Sequence, residues 1–374
     1  MSKVDYLIVG AGLFGSVFAC EMNKIGRSCL VIEKRNHIGG NCFTENRDGI
    51  DIHVYGPHIF HTSSDEVWDY VRRFVDFNDY KHTGCVSNKG IQYSFPINLK
   101  TMQQAYGIDD VSGLSERLED DRAPYRNTDG SNLEQWCLAQ VGPNLYEKLI
   151  RGYTKKHWNK APSELDASII KRLPIRKTAD DNYYFDKYQG IPEQGYTALF
   201  NKLLDGIDIR LDVDYFADRT HWDNSANTVV YTGEIDRFFN YAEGVLEWRS
   251  LRFELSRHER PDVQGRSVVN YNDPEIPYTR IVEHKHFNLN ATRNIKHSYT
   301  TYEYPAELAD TGEAFYPVPT EANRKCYKRY VELTRQLGSR YIFGGRLANY
   351  VYIDMAPAIQ MALNLARKEQ LVTV

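Results

Sequence analysis

Gly10-Ala11-Gly12-Leu13-Phe14-Gly15 stands between a short apolar run, residues 4–9, and a helix-like stretch, residues 16–25. Glycines at this spacing fit a strand that turns sharply into a helix. Gly10 permits the tight turn, Gly12 lets backbone approach a pyrophosphate, and Gly15 lets helix pack on strand. Phosphates would then meet the unpaired N–H groups and the positive dipole end of that helix. A second apolar run, residues 28–33, ends in Glu33, eighteen residues past Gly15 and placed to accept from a ribose 2′-hydroxyl. A carboxylate there disfavours a 2′-phosphate, so the pattern favours FAD or NAD over NADP. Gly39-Gly40, with Asn41 behind them, tilts the choice to FAD, because a second glycine pair lets backbone pass close to an extended pyrophosphate–ribityl chain. Leu13, Phe14 and Lys34 complete this candidate cofactor set. The alternative is a purely structural glycine turn.

The rest of the chain changes period twice. Residues 64–77 read as a helix, with Ser64 as cap and Val67, Tyr70, Val71, Phe74 and Val75 on one stripe. From 98 to about 176 the pattern is helical; Ser131 and Glu134 form a capping box, and Pro143 can open a further helix. Between about 180 and 305 the period becomes two, in residues 245–255, 281–287 and 298–304, as in antiparallel strands with one wet face. Residues 341–343 return to strand, Gly344-Gly345-Arg346 to turn, and 355–367 to helix. The expected architecture is α/β. A Rossmann-like FAD domain is built from both ends (1–80 and 317–374), with a helical insert (98–178) and an antiparallel-sheet insert (81–97 and 179–316).

Composition removes several classes of function. Lys and Arg number 46 against 50 Asp and Glu, a net charge of −4, which gives no support to a nucleic-acid track or an anionic membrane surface. The six cysteines show no C-x-x-C pair and read as free thiols of a reducing compartment. The longest uncharged stretch, about 15 residues, is short of the roughly 20 that span a bilayer. The reading is a soluble, cytoplasmic protein. The 27 tyrosines suit either a wet, aromatic-lined cleft or a Tyr-rich sheet surface.

Further candidates for chemistry follow. His58 and His61 have a metal-like spacing but no third ligand near in sequence, so no metal is expected. A wall beside a flavin suits them better, since a neutral imidazole can donate to the N5/O4 edge; structural histidines are the alternative. Arg346 can meet a pyrophosphate, and Asp354, just before Met355 and the last helix, can face the flavin's pyrimidine edge. A helix-capping aspartate and a surface arginine are the plainer reading. Arg151, Lys155, Lys156, Lys171, Arg172 and Arg176, interleaved with Tyr153, His157 and Trp158, suit either a phosphorylated substrate or a solvated helix face.

Taken together, RGYTKKHW (151–158), KRLPIR (171–176), DDNYYF (180–185), PYTRI (277–281), GGRLANYVYIDM (344–355) and GPHIFHT (56–62) closely resemble the bacterial UDP-galactopyranose mutases. The resemblance runs from the first strand to the last helix. It implies an FAD-binding α/β domain, a helical domain and an antiparallel sheet. It implies a cytoplasmic homodimer serving polysaccharide biosynthesis, with NAD(P)H or a reduced flavoprotein as reductant. The chemistry it implies has no net redox change: reduced-flavin N5 attacks the anomeric carbon, the diphosphate leaves, and the sugar ring reopens between pyranose and furanose. Residue by residue, the diphosphate-binding arginines fall on Arg172 and Arg280. The pyrophosphate- and sugar-binding tyrosines fall on Tyr153, Tyr183, Tyr316 and Tyr352, the uridine-side tryptophan on Trp158, and a sugar contact on Asn270. His61, Arg249 and Asp354 match residues at the flavin. Where the family carries two aromatics, one of which stacks on uracil, this chain has Leu149 and Ile150; His82 replaces an asparagine and Tyr184 a phenylalanine. A donor such as dTDP-fucopyranose or an N-acetylated galactose is therefore an alternative to UDP-galactopyranose. An FAD-dependent amine-oxidase-like enzyme, or a nucleotide-sugar-binding protein without turnover, are the rival classes.

Overall fold

The computed structural model describes residues 3–171 and 175–372, and the chain divides into two compact units. The first comprises residues 1–80, 186–247 and 324–374. Its centre is a five-stranded sheet in the order Tyr341–Phe343, Ala226–Tyr231, Val4–Val9, Cys29–Ile32, Asp208–Arg210. Every pairing in it is parallel. Parallel strands covered on both faces read as continuous apolar runs, and Leu7, Ile8, Val31, Ile32, Val229 and Val230 are all buried. The helix Leu13–Lys24 follows the first strand, starting three residues earlier than the apolar pattern suggests, because Gly15 is tolerated inside its first turn. Ser64 caps Asp65–Arg72 through a bond from Val67 N–H at 3.3 Å. That helix is shorter than its apolar stripe: Phe74 lies in the turn that follows it and Val75 beyond that turn.

The second unit comprises residues 81–185 and 248–323. It holds a seven-stranded sheet in the order Tyr316–Pro317, Trp248–His258, Ser298–Glu307, Arg280–Glu283, Val268–Tyr271, Gly84–Asn88, Ile91–Phe95. Helices from the 98–178 stretch pack with it: Val86, Tyr93, Phe95 and Ile97 of the sheet side share one core with Leu114, Leu133, Cys137, Val141 and Leu145. The helix Leu133–Tyr146 breaks at Gly142, which has φ 71° and ψ 173°, and Pro143 opens the next segment as its sequence suggests.

Several expectations are corrected. Residues 186–247 are not part of the antiparallel sheet; Ala226–Tyr231 pairs in parallel with Val4–Val9 in the first unit. Residues 317–323 go with the second unit, since Tyr316–Pro317 runs along Trp248–His258. The seven-stranded sheet has one parallel junction, Val268–Tyr271 against Gly84–Asn88, where distant parts of the chain meet without a hairpin. Asn132, not Ser131, caps Leu133–Tyr146, because its carboxamide reaches Gln135 N–H at 3.0 Å. Strand Arg280–Glu283 ends early and turns into a short 3₁₀ helix, His284–Asn288. All six cysteines are free and buried, and among the described residues no helix is long and apolar enough to cross a membrane.

Candidate functional site

In the first unit the three glycines of the opening turn do different work. Gly10 has φ +110° and would drive a Cβ to 2.2 Å from Thr232 Oγ1. Thr232 donates to Val9 O from its N–H at 3.1 Å and its hydroxyl at 2.8 Å, closing the top of the neighbouring strand over the turn. A Cβ at Gly15 would lie 2.2 Å from Gly10 O and 3.0 Å from Ile8 Cγ2, so Gly15 serves helix–strand packing. A Cβ at Gly12 would meet nothing within 4 Å. Gly12 N-caps the helix with no side-chain capping bond, and its Cβ position is clear of other atoms, which suits the close approach a diphosphate needs.

Glu33 is buried, its Oε2 accepting from Ala11 N–H at 2.9 Å and its Oε1 from Arg35 N–H at 3.0 Å. Two backbone donors fix the carboxylate beside the turn, and each oxygen keeps a lone pair for a ribose hydroxyl. Gly39 N–H donates to Ala11 O at 2.9 Å, and a Cβ at Gly40 would come within 3.0 Å of Gly12 Cα, so the second glycine pair passes directly across the first turn. Asn41 accepts from Arg35 Nη2 at 3.1 Å; the Arg35 guanidinium lies 4.0 Å over the Tyr55 ring, and Tyr55 OH meets His37 Nε2 at 2.7 Å. Lys34 is exposed. Burial pushes the Cys42 thiol up to about 12, which leaves it unreactive. Gly344 is required by Phe14, whose ring a Cβ would overlap at 2.0 Å. Arg346 donates to Ile353 O and sits 5.4 Å over the ring of Tyr352. These residues fit a dinucleotide: a helix end without a side-chain cap, a fixed carboxylate and glycine backbone on either side.

His58 turns its Nδ1 to Gly56 O at 2.9 Å. His61 turns its Nδ1 to Asp186 Oδ2 at 2.7 Å, and its Nε2 stands 3.9 Å from Asp354 Oδ2. An ionised carboxylate only accepts, so Nδ1 carries the proton and a neutral His61 presents Nε2 as an acceptor. Donation from Nε2 needs a second proton, which corrects the neutral-donor role expected from sequence.

In the second unit Asn270, Arg280 and Glu303 stand side by side across three strands. The Arg280 guanidinium donates from Nη2 to Tyr153 OH at 3.2 Å, while its Nε lies 2.8 Å from Glu303 Oε2, an ion pair out of line for a hydrogen bond. Glu303 is fully buried, and its carboxyl is raised above the usual range by burial, with Arg280 opposing. Asn270 donates to Cys85 O at 3.2 Å. Tyr153 stacks on His157 at 5.7 Å; Tyr316 lies 5.1 Å from His157 and 6.5 Å from Trp158. Tyr183 lies 5.2 Å from the buried His82 and donates its N–H to His82 O at 2.7 Å. Arg172 lies outside the described residues.

Three residues have surroundings different from those expected. Arg249 is buried with protein partners, donating to His157 O at 2.9 Å and pairing with Glu307. Leu149 and Ile150, 2% and 5% exposed, belong to the apolar core, and Ile150 faces a pocket with Trp136, Ile170 and Ile175. Sequence reasoning missed Thr232 and Asp186, and passed over the role of Lys156. Lys156 Nζ donates to Asp273 O, Ile276 O and Tyr278 O at 2.9, 3.0 and 3.0 Å. Burial lowers its ammonium to about 8. Asn272 completes the tie, accepting from Tyr153 N–H at 2.9 Å and donating to Glu147 O at 2.7 Å.

A sequence model of UDP-galactopyranose mutase matches residues 148–352, and one of NAD(P)-binding Rossmann-like domains matches residues 8–74. The chain is 35% identical to a dTDP-fucopyranose mutase of Escherichia coli, over 98% of both chains. It is 31% identical to a UDP-galactopyranose mutase of Mycoplasma pneumoniae, over 99% of this chain and 96% of the other. Among solved structures, reduced UDP-galactopyranose mutase superposes with a TM-score of 0.76 at 11% identity, over 100% of this chain and 95% of that one. Putrescine oxidase follows the same fold at a TM-score of 0.58 and 15% identity, over 98% and 99%. The glycine turn with its fixed carboxylate, a sheet bearing Arg280 against Tyr153, and these full-length similarities converge: the chain belongs to the UDP-galactopyranose mutase family, enzymes that isomerise nucleotide sugars.

Proposed function

We propose that this enzyme interconverts the pyranose and furanose forms of UDP-galactose, using FAD in its reduced state. The observation that carries the reading is the Arg280–Tyr153 pair, a guanidinium and a phenol 3.2 Å apart on the second unit. They suit a departing nucleoside diphosphate, which needs preorganised donors where charge develops. When bound and reduced, FAD supplies a nucleophilic N5 for the anomeric carbon. The chain's own residues do the rest. Gly12 and the helix it caps receive the cofactor's diphosphate, and Glu33 accepts from its ribose. Arg280 and Arg172 hold the substrate's diphosphate, keeping it near while the sugar ring opens and closes. Tyr153, Tyr183, Tyr316, Tyr352 and Asn270 orient the sugar, and Trp158 borders the base. The surroundings of Arg249 support a positioning role: it bonds the carbonyl of His157, the residue whose ring stacks on Tyr153. NAD(P)H is the expected reductant and a homodimer the expected assembly.

The test is incubation of dithionite-reduced enzyme with UDP- and dTDP-linked furanoses, scoring the pyranose product. Turnover by the oxidised enzyme equal to that of the reduced one removes the flavin role. A second reading has support from the 35% identity to a dTDP-fucopyranose mutase and from the aliphatic Leu149 and Ile150, which stand where the family carries aromatics. Neither side chain has a ring to stack on a base, a contact worth about 1–3 kcal/mol per base in nucleic-acid binders. Competition of UDP against dTDP for the reduced enzyme decides: a UDP preference of about tenfold, or 1.4 kcal/mol, removes the thymine reading.

A further inference from the structure

The strand Phe60–Thr62 pairs antiparallel with Tyr188–Gly190, Thr62 facing Tyr188. Ser63 sits in the bend directly after this strand, and its hydroxyl and the His61 ring converge on one carboxylate. The chain entering the partner strand brings Asp186 to both. One carboxylate oxygen is 2.7 Å from His61 Nδ1, and the other accepts from Ser63 Oγ at 3.0 Å. Lys187 N–H donates to Ser63 Oγ at 3.3 Å and closes the turn. The carboxylate is thus held at both oxygens, and the imidazole ring cannot rotate without giving up its bond. Its far nitrogen, Nε2, is turned toward Asp354, 3.9 Å away, at the start of the helix Met355–Val372.

We propose that Asp186 is a positioning residue that locks His61 in the Nδ1–H tautomer, so that an unprotonated Nε2 is presented on the Asp354 side, toward the bound cofactor. The placement beside the cofactor rests on the proposed function; the tautomer does not. A free histidine side chain favours the Nε2–H form. Without Asp186 the ring would take that form and donate from Nε2 to Asp354, and the acceptor would be lost. The hydrogen bond from the second nitrogen decides which nitrogen is available for chemistry.

The experiment has two arms. In flavin-free protein labelled with ¹⁵N-histidine, long-range ¹⁵N–¹H correlation reads the His61 tautomer directly. Wild type is expected to show Nδ1–H, D186A to shift to Nε2–H, and D186N to keep Nδ1–H because its amide oxygen still accepts. D186S replaces D186A should the latter not fold. In the reduced holoenzyme, D186A is expected to lower kcat by about tenfold or more with KM within about twofold, and D186N to restore most of kcat. An unchanged tautomer in D186A overturns the proposal, and so does a changed tautomer with unchanged kcat. A wild type that isomerises no nucleotide sugar overturns the proposed function instead, and the tautomer arm separates the two failures.

Discussion

At the scale of single residues, glycines that look equivalent in sequence carry separable loads. Gly15→Ala forces a Cβ against Gly10 O at 2.2 Å, so it should cost about 1–3 kcal/mol of stability and lose flavin with it. Gly12→Ala meets no protein atom within 4 Å and has an ordinary φ of −76°. It should keep the melting temperature of the flavin-free protein yet abolish the bound-flavin absorbance. Equal flavin retention in G12A and wild type would remove the diphosphate from this turn. Arg280→Ala takes away a charge-assisted contact and strands the buried Glu303 carboxyl. The expected loss in kcat/KM is about a hundredfold with FAD retained, about 3 kcal/mol, together with a lower melting temperature. The same loss is expected for Arg172→Ala; either variant keeping most of its activity would exclude that arginine from the diphosphate. What could be read from sequence here was what is local. The glycine turn and Glu33 lie within one strand–helix–strand unit, so spacing alone placed them. Asp186 is 125 residues from His61, and nothing in either neighbourhood announces the other.

At the scale of elements, the helix Gly152–Trp158 is held to the loop after Val268–Tyr271 by Lys156 and Asn272. The partners of Lys156 are three backbone carbonyls, and carbonyls have no residue type, so sequence could place the lysine but not its role. The apolar character of Leu149 and Ile150 was legible, but the side they face was not, because the five residues Glu147–Arg151 form a π turn that shifts the helical register. The Lys156 tie also titrates. Its ammonium gives up a proton near pH 8 in the folded chain, against 10.5 for an unburied lysine. Between those values the unfolded state binds more protons, so this group's contribution to stability improves as pH rises. Urea unfolding of wild type and K156M at pH 7.5 and 10 should therefore show the difference moving in favour of wild type. A difference that moves the other way would mean that the folded chain stabilises the ammonium.

At the scale of the whole molecule, the sequence's alternation of period separated the parallel from the antiparallel sheet. It misassigned residues 186–247, because a six-residue strand such as Ala226–Tyr231 carries no mark of which sheet receives it. That pairing has a consequence for the order of synthesis. Val4–Val9 is a central strand whose neighbour on one side, Cys29–Ile32, emerges almost at once, while its neighbour on the other, Ala226–Tyr231, is more than two hundred residues away. At roughly 5–20 residues per second, one edge of the nascent sheet waits on the order of ten to forty seconds, and an unpaired edge is a template for other chains. Within that interval the strand, the glycine turn and Glu33 already exist, but Thr232, which lies against Gly10, does not. The cofactor cradle is thus begun at the start of translation and closed only well past its midpoint, and the vulnerable species in the cell is the half-made chain.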